Sequence, residues 1–289
     1  MSEPLRIGFV PEHFSTPIHF AQKYFGLGAT LLPFPSGTGH MITSLQANEI
    51  DVGIGLTEGW VAGLGKQGEK AGFSLVGTYV ETPLCWAIST GAKRELEHVS
   101  QLKDTKIGIS RIGSGSYVMG FVLADARGWL KAPGDPPFDV VPLQTFAKLR
   151  EAVNNSTADF FMWEHFTSKK YYDNGEIKRV GEIYTPWSSW KIVSRHPHDK
   201  RLEGMFEKIN KGVEYFKTHH DEAVEYISTR LDYSAEDATE WLKTVKFAGD
   251  VKGVSEETIQ KTIEILRKAG VIEGTDVKAN AMIAVPRTT

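Results

Sequence analysis

Apolar runs of five to seven residues, each closed by small or polar residues, alternate with stretches whose apolar positions recur at helical spacing. RIGFV, TLLPF, DVGIGL, SLVGTYV and WAIST read as strands through about residue 90. Between them the pattern predicts a helix opening by Pro17, a residue that suits a first helical position. A second runs over Thr38–Ala47 with Met41, Ile42 and Leu45 on its buried side, and a third begins at Glu58. The alternation then resumes, with strands over Leu102–Ser110, Phe138–Leu143 and Asp159–Trp163 and helices over Ser114–Trp129 and Ala147–Asn154. Lys131–Pro137, KAPGDPP, is a loop by its prolines. Arg179–Ile183 and Trp190–Ser194 read as extended. Beyond Pro197 the chain is mostly helical, with Ser234 and Ser255 placed as N-caps, and Ala279–Thr289 is extended around MIAV.

One strand, turn and helix unit occurs on either side of Pro83. LRIGFVPEHFSTP followed by IDVGIGLTEGW in the first half matches TKIGISRIGSGSYVM followed by ADFFMWEHF in the second. A parallel strand that feeds a helix through a short polar turn puts the turn at the strand's carboxyl end, where open α/β sheets bind small ligands. At 289 residues the chain exceeds one usual domain. Two lobes are expected, 1–84 with 191–289 and 85–190, with chain crossings near 81–85 and 186–190. The expected fold is α/β and two-lobed, with a cleft between two mixed sheets and the helical C-terminal segment packed on the first lobe.

Composition narrows the function classes. A net charge of -3 without a long Lys and Arg run argues against a nucleic-acid partner or an anionic membrane surface. No run reaches the roughly 18 apolar residues of a membrane span, so no membrane insertion is expected. The only cysteine, Cys85, rules out an internal disulfide and any cluster built from cysteines. A first strand near Leu5 leaves no room for a secretory signal, so a cytoplasmic location is expected, or a periplasmic one if a signal has been removed.

The stretches RIGFVPEHFSTPIHFAQKYFGL, SGTGHMITSLQANEIDVGIG, LKDTKIGISRIGSGS and LREAVNNSTADFFMWE resemble, in order and spacing, the type 2 periplasmic binding protein family. The resemblance is to the branch of sulfonate, nitrate and thiamine-precursor binding proteins, related to fungal thiamine-pyrimidine synthases. It implies a two-lobed hinge architecture and a small organic ligand in the cleft, with a permease as partner only for an exported protein. Gly55 and Gly59 stand where those synthases carry a Lys and a His, and their cysteine-rich iron motif has no counterpart here.

The candidate binding residues follow from both lines of argument. Gly113, Ser114, Gly115 and Ser116 form a small turn opening a helix, which either holds an anionic group or simply caps the helix. Glu12, His13, Thr57 and Glu58 follow strands of the first half, and Glu164 and His165 end the matching strand of the second. A glutamate in a first helical turn complements the helix dipole, but buried carboxylates without partners are costly, and several together suggest a ligand with N–H donors or positive charge. Ser36 and Thr38 add polar groups, while Phe14, Trp60 and Trp163 are candidate aromatic walls. Trp86, Trp190, Trp129 and Trp241 read as packing.

His13, His40 and His165 lack the close ligand spacing of known metal motifs, so neither metal nor cofactor is expected. Cys85 reads as a small buried residue of a crossing strand. No nucleophile elbow, P-loop or dinucleotide fingerprint is present. These readings favour a noncatalytic protein that closes on a small polar, ring-containing molecule such as a thiamine pyrimidine precursor. The alternative is an enzyme of pyrimidine or thiamine-precursor metabolism on the same scaffold.

Overall fold

A computed structural model describes residues 3–132, 135–274 and 276–287. Pro133 and Gly134 of the expected KAPGDPP loop, and the last two residues of the expected terminal extended segment, lie outside the described residues. The first part of the chain runs β1 (Arg6–Phe9), α1 (Thr16–Tyr24), β2 (Thr30–Pro33), α2 (Thr38–Gln46), β3 (Val52–Leu56), α3 (Thr57–Gln67) and β4 (Ser74–Val80). Then come β5 (Cys85–Gly91), β6 (Lys106–Ile109), α4 (Gly115–Arg127), β7 (Asp139–Pro142), α5 (Phe146–Asn154), β8 (Phe160–Glu164), α6 (His165–Asp173) and β9 (Ile177–Tyr184). The chain continues through β10 (Trp190–Ser194), α7 (Arg201–Thr218), α8 (His220–Arg230), α9 (Ala235–Leu242), α10 (Glu256–Lys268) and α11 (Ala279–Met282).

The strands form two five-stranded sheets of one plan, ordered β2-β1-β3-β10-β4 and β7-β6-β8-β5-β9. In the first, β1 is parallel to β2 and β3, and β10 is antiparallel to both β3 and β4. In the second, β6 is parallel to β7 and β8, and β5 is antiparallel to β8 and β9. The repeat in the sequence is thus a repeat in topology. Each sheet sits in its own compact unit, one made of 3–82, 187–263 and 276–287, the other of 83–186 and 264–274. The segment 264–274 groups with the second unit.

Two local expectations change, and the helix implied after Glu164 gains its extent. Leu102–Ser110 is not one strand: a 3-10 turn over Val99–Leu102 precedes β6, which starts at Lys106. The polar stretch after Trp163 forms α6, which buries only Ser168 and therefore carries little apolar periodicity. The expected terminal extended segment opens with the single helical turn of α11, and only then does Ile283 bridge to Leu75 and Pro286 to Val254.

In the first unit, α7 lies against α1 with Gly212 at the closest approach. A Cβ there would come within 2.2 Å of the Pro17 carbonyl oxygen and 2.9 Å of Ala21. Backbone on the opposite side cannot yield as a side-chain tip would. Gly212→Ala is therefore expected to lower stability by about 1 to 3 kcal/mol or more, the range of overpacked cores. Thermal unfolding checks this, and an unchanged midpoint would contradict the packing described.

Candidate functional site

In the first unit β1 and β3 are parallel neighbours, so the turn after Phe9 and the start of α3 share the carboxyl edge of one sheet. Half-buried Glu12 precedes a single 3-10 turn, His13–Ser15, and its carbonyl accepts from the Ser15 backbone at 2.8 Å and hydroxyl at 2.7 Å. His13 is buried among the rings of Phe14, Tyr233 and Trp241, with centroids 4.5, 4.5 and 4.3 Å away. Burial pushes its imidazole well below the ordinary range, so it is neutral. Phe14 packs on Trp190 and Trp241 at 5.0 and 5.2 Å and belongs to the core.

The hydroxyls of Thr38 and Thr57 tie elements together. Thr38 Oγ1 accepts the Leu56 N–H at 2.9 Å, joining the start of α2 to the end of β3. Thr57 donates its hydroxyl to the Ser188 carbonyl at 2.6 Å and its backbone N–H to the Ser189 carbonyl at 2.9 Å. Trp60 is fully buried, donates Nε1–H to the Lys191 carbonyl at 3.3 Å, and fills the space that Cβ atoms at Gly53 and Gly55 would occupy. Ser36 is exposed in the loop before α2, and His40 is exposed on α2.

Glu58 stands apart from these packing roles. It is 1% exposed in the first turn of α3, where Oε2 accepts the Trp187 indole N–H at 3.1 Å. Its Oε1 is buried and has no hydrogen-bond partner among the described residues. Burial raises the carboxyl to about 7, against the opposing effects of its own backbone N–H and of the indole donor. Trp187 and Lys191 were not among the expected site residues. Lys191 is equally buried in β10, donates to the Ser188 hydroxyl, and is pushed down to about 7 by desolvation. Its one visible signal was a charge inside the apolar WKIVS.

In the second unit the turn after β6 and the end of β8 share the equivalent edge. Gly113 has φ +80°, a conformation that favours glycine. Buried Ser114 caps α4, accepting the Tyr117 N–H at 3.4 Å. Its hydroxyl lies 2.9 Å from that of buried Ser116, which accepts the Ser110 N–H at 3.1 Å. Gly115 is the first helical residue. The two serine hydroxyls are thus committed to the turn itself.

Glu164 caps α6, with Oε2 accepting the Thr167 N–H at 2.7 Å. It is nonetheless raised to about 7, because desolvation outweighs the backbone donors. His165 opens α6 half-buried, and its Nδ1 lies 3.4 Å from Arg179 Nη1. Trp163 stacks on Phe146 at 5.0 Å and packs against the core around Leu149 and Phe161.

Sheet plan and strand-end chemistry together define a protein of the periplasmic binding protein fold. Residues 86–183 match the model of the Ca3427-like PBP family. The structure is similar to the Candida albicans CA3427 gene product, described as defining a new family with the generic periplasmic binding protein fold. The TM-score is 0.88 and the identity 41%, over 99% of this chain and 97% of that one. The chain belongs to this Ca3427-like family.

Two sulfonate-binding proteins share the fold alone. The alkanesulfonate-binding protein SsuA of Xanthomonas axonopodis pv. citri, bound to MOPS, gives a TM-score of 0.78 at 16% identity, covering 97% of this chain and 98% of that one. The periplasmic aliphatic sulphonate binding protein SsuA of Escherichia coli gives 0.77 at 16%, covering 100% and 94%. No curated protein sequence matches. No helix among the described residues is long and apolar enough to cross a membrane. Gly55 and Gly59 are closely packed. A Cβ at either would approach Thr38 side-chain atoms to 2.7 and 2.8 Å, so larger residues do not fit without rearrangement.

These buried groups give stability a defined pH dependence. Glu58 and Glu164 keep their protons in the folded chain up to about 7, whereas the unfolded chain releases them near 4.5. Stability present below pH 4.5 is therefore lost as the pH rises towards 7. Lys191 works in the opposite sense: its ordinary value is 10.5 and its folded value about 7, so stability recovers from pH 7 to 10.5. Denaturant unfolding should show a minimum near pH 7. Glu58→Gln should remove up to roughly 3 kcal/mol of the fall on the acid side. An identical acid-side slope in wild type and Glu58→Gln would contradict the buried, neutral carboxyl.

Proposed function

We propose that this protein is a noncatalytic binding protein for one small, polar, ring-containing molecule bearing N–H donors, such as a thiamine pyrimidine precursor. The observation that carries this reading is Glu58, whose buried Oε1 lacks a hydrogen-bond partner among the described residues. Leaving a buried oxygen unsatisfied costs about 1 to 3 kcal/mol. A value of about 7 makes the ionised carboxyl accessible at neutral pH, and a ligand N–H that meets Oε1 satisfies that form. Glu164 offers a second raised carboxyl at the equivalent edge of the other sheet. Glu12, Ser36 and the backbone of the Gly113–Ser116 turn complete the proposed contacts.

Sulfonates bind the Xanthomonas and E. coli proteins, yet carboxyls that begin to ionise near pH 7 at both strand edges disfavour an anion. The relatives' ligand class is therefore not carried over. In a cytoplasmic setting such a protein serves as a carrier or sensor; only an exported form has a permease for a partner.

Native mass spectrometry of the purified full chain is expected to reveal one co-purifying molecule with ring N–H donors. Calorimetry with that molecule should show Glu58→Gln and Glu164→Gln each weakening binding about tenfold. Tight binding of an anionic sulfonate in its place, or undiminished affinity in both variants, would overturn the reading.

A further inference from the structure

Three of the chain's potential metal ligands meet in the second unit, on one face of its sheet, and their meeting follows from strand register. Cys85 opens β5 directly opposite Tyr184 of β9, and Glu182 lies opposite Ala87, on the same face as Cys85 by the two-residue alternation. On the other flank Trp86 pairs with Glu164 of β8, which brings the next residue, His165, alongside Cys85. A register shift between Ile88 and Ser89 then sets Arg179 opposite Ser89, on the face that Cys85 and Glu182 occupy.

Sγ of Cys85, a ring nitrogen of His165 and a carboxylate oxygen of Glu182 all lie within 4.8 Å of one another. The Cys85 Sγ and Glu182 Oε2 atoms are 3.7 Å apart. Zinc bond lengths of about 2.3 Å to sulfur and 2.1 Å to oxygen give a tetrahedral edge of about 3.6 Å, so these two donors already stand at ligand spacing. Cys85 is half-buried and not fully buried as its place in a crossing strand suggested, so its sulfur is reachable.

We propose that Cys85, His165 and Glu182 form a three-ligand site for a divalent, borderline-soft cation of the zinc type, with the fourth position open to water or a solute. A cation already occupies the neighbourhood: the Arg179 guanidinium donates to Glu182 Oε2 at 2.9 Å and to His165 Nδ1 at 3.4 Å. An arginine N–H only donates, so His165 Nδ1 presents its lone pair there, as a metal ligand must. Arg179 is exposed, and its surface pair with Glu182 is weak enough to be exchanged. When the ion enters, the Cys85 thiol proton passes to solvent and Arg179 swings out. The added +2 charge is offset by the lost proton and the departed guanidinium, leaving the local charge unchanged.

This departs from the metal-free expectation of the sequence, because the three ligands come from β5, the start of α6 and β9, which are separated along the chain. It does not rest on the ligand proposed above. The test uses the full chain without a histidine tag, titrated with zinc alone against a chromophoric chelator and separately with cobalt. One equivalent should bind, with a thiolate-to-cobalt charge-transfer band. Cys85→Ser, His165→Gln and Glu182→Gln should each weaken zinc by more than the about 10- to 100-fold expected for an outer partner, and Arg179→Gln should tighten it. In unmodified protein, which needs no variant to fold, zinc should slow alkylation of Cys85. Substoichiometric zinc, a cobalt complex without the thiolate band, or alkylation at an undiminished rate under saturating zinc would each overturn the proposal.

Discussion

Each sheet depends on one antiparallel strand inserted between two others: β10 between β3 and β4, and β5 between β8 and β9. For the first unit this strand arrives only after the whole of 83–186 has been traversed. Without β10, β3 and β4 would each expose an unpaired edge, and the first sheet would be incomplete. The insertion also delivers chemistry. The residues leading into β10 bring Trp187 to Glu58, and Ser188 and Ser189 to Thr57, across more than a hundred positions of sequence.

The carboxyl edges built in this way are apolar enough to keep two glutamates near neutrality. Desolvation outweighs the Trp187 indole at Glu58, and it outweighs three hydrogen-bond donors at Glu164. Charged carboxylates held against such a cost lose stability that the fold does not recover from packing. In the proposed function, a solute that meets the unsatisfied oxygen converts this cost into affinity.

Parallel strands and their polar turns were legible in the sequence because short, buried strands flanked by helical periods leave a strong pattern. The edge location of Glu58 and Glu164 followed from that pattern. What an aromatic or hydroxyl at a turn touches did not follow, since turn residues carry no periodicity to say which way they face. Phe14, His13 and Trp60 lie in the core, and Ser114 and Thr38 hold elements together through hydrogen bonds. The strand, turn and helix unit implied a helix beginning at Glu164, but the extent of α6 was not legible, its faces being polar almost all round. Trp187 could not be joined to Glu58, nor Ser188 to Thr57, without knowing that β10 returns to the first sheet.

The account turns on whether the strand-end carboxyls are in fact held neutral by burial. Site-resolved carbon NMR titration of the glutamate carboxyls in the ligand-free full chain measures this without perturbing the fold. Midpoints near 7 for both Glu58 and Glu164 are the predicted result. Midpoints for both near the ordinary 4.5 would mean that these groups are charged and solvated at neutral pH, and would contradict the proposed binding edge.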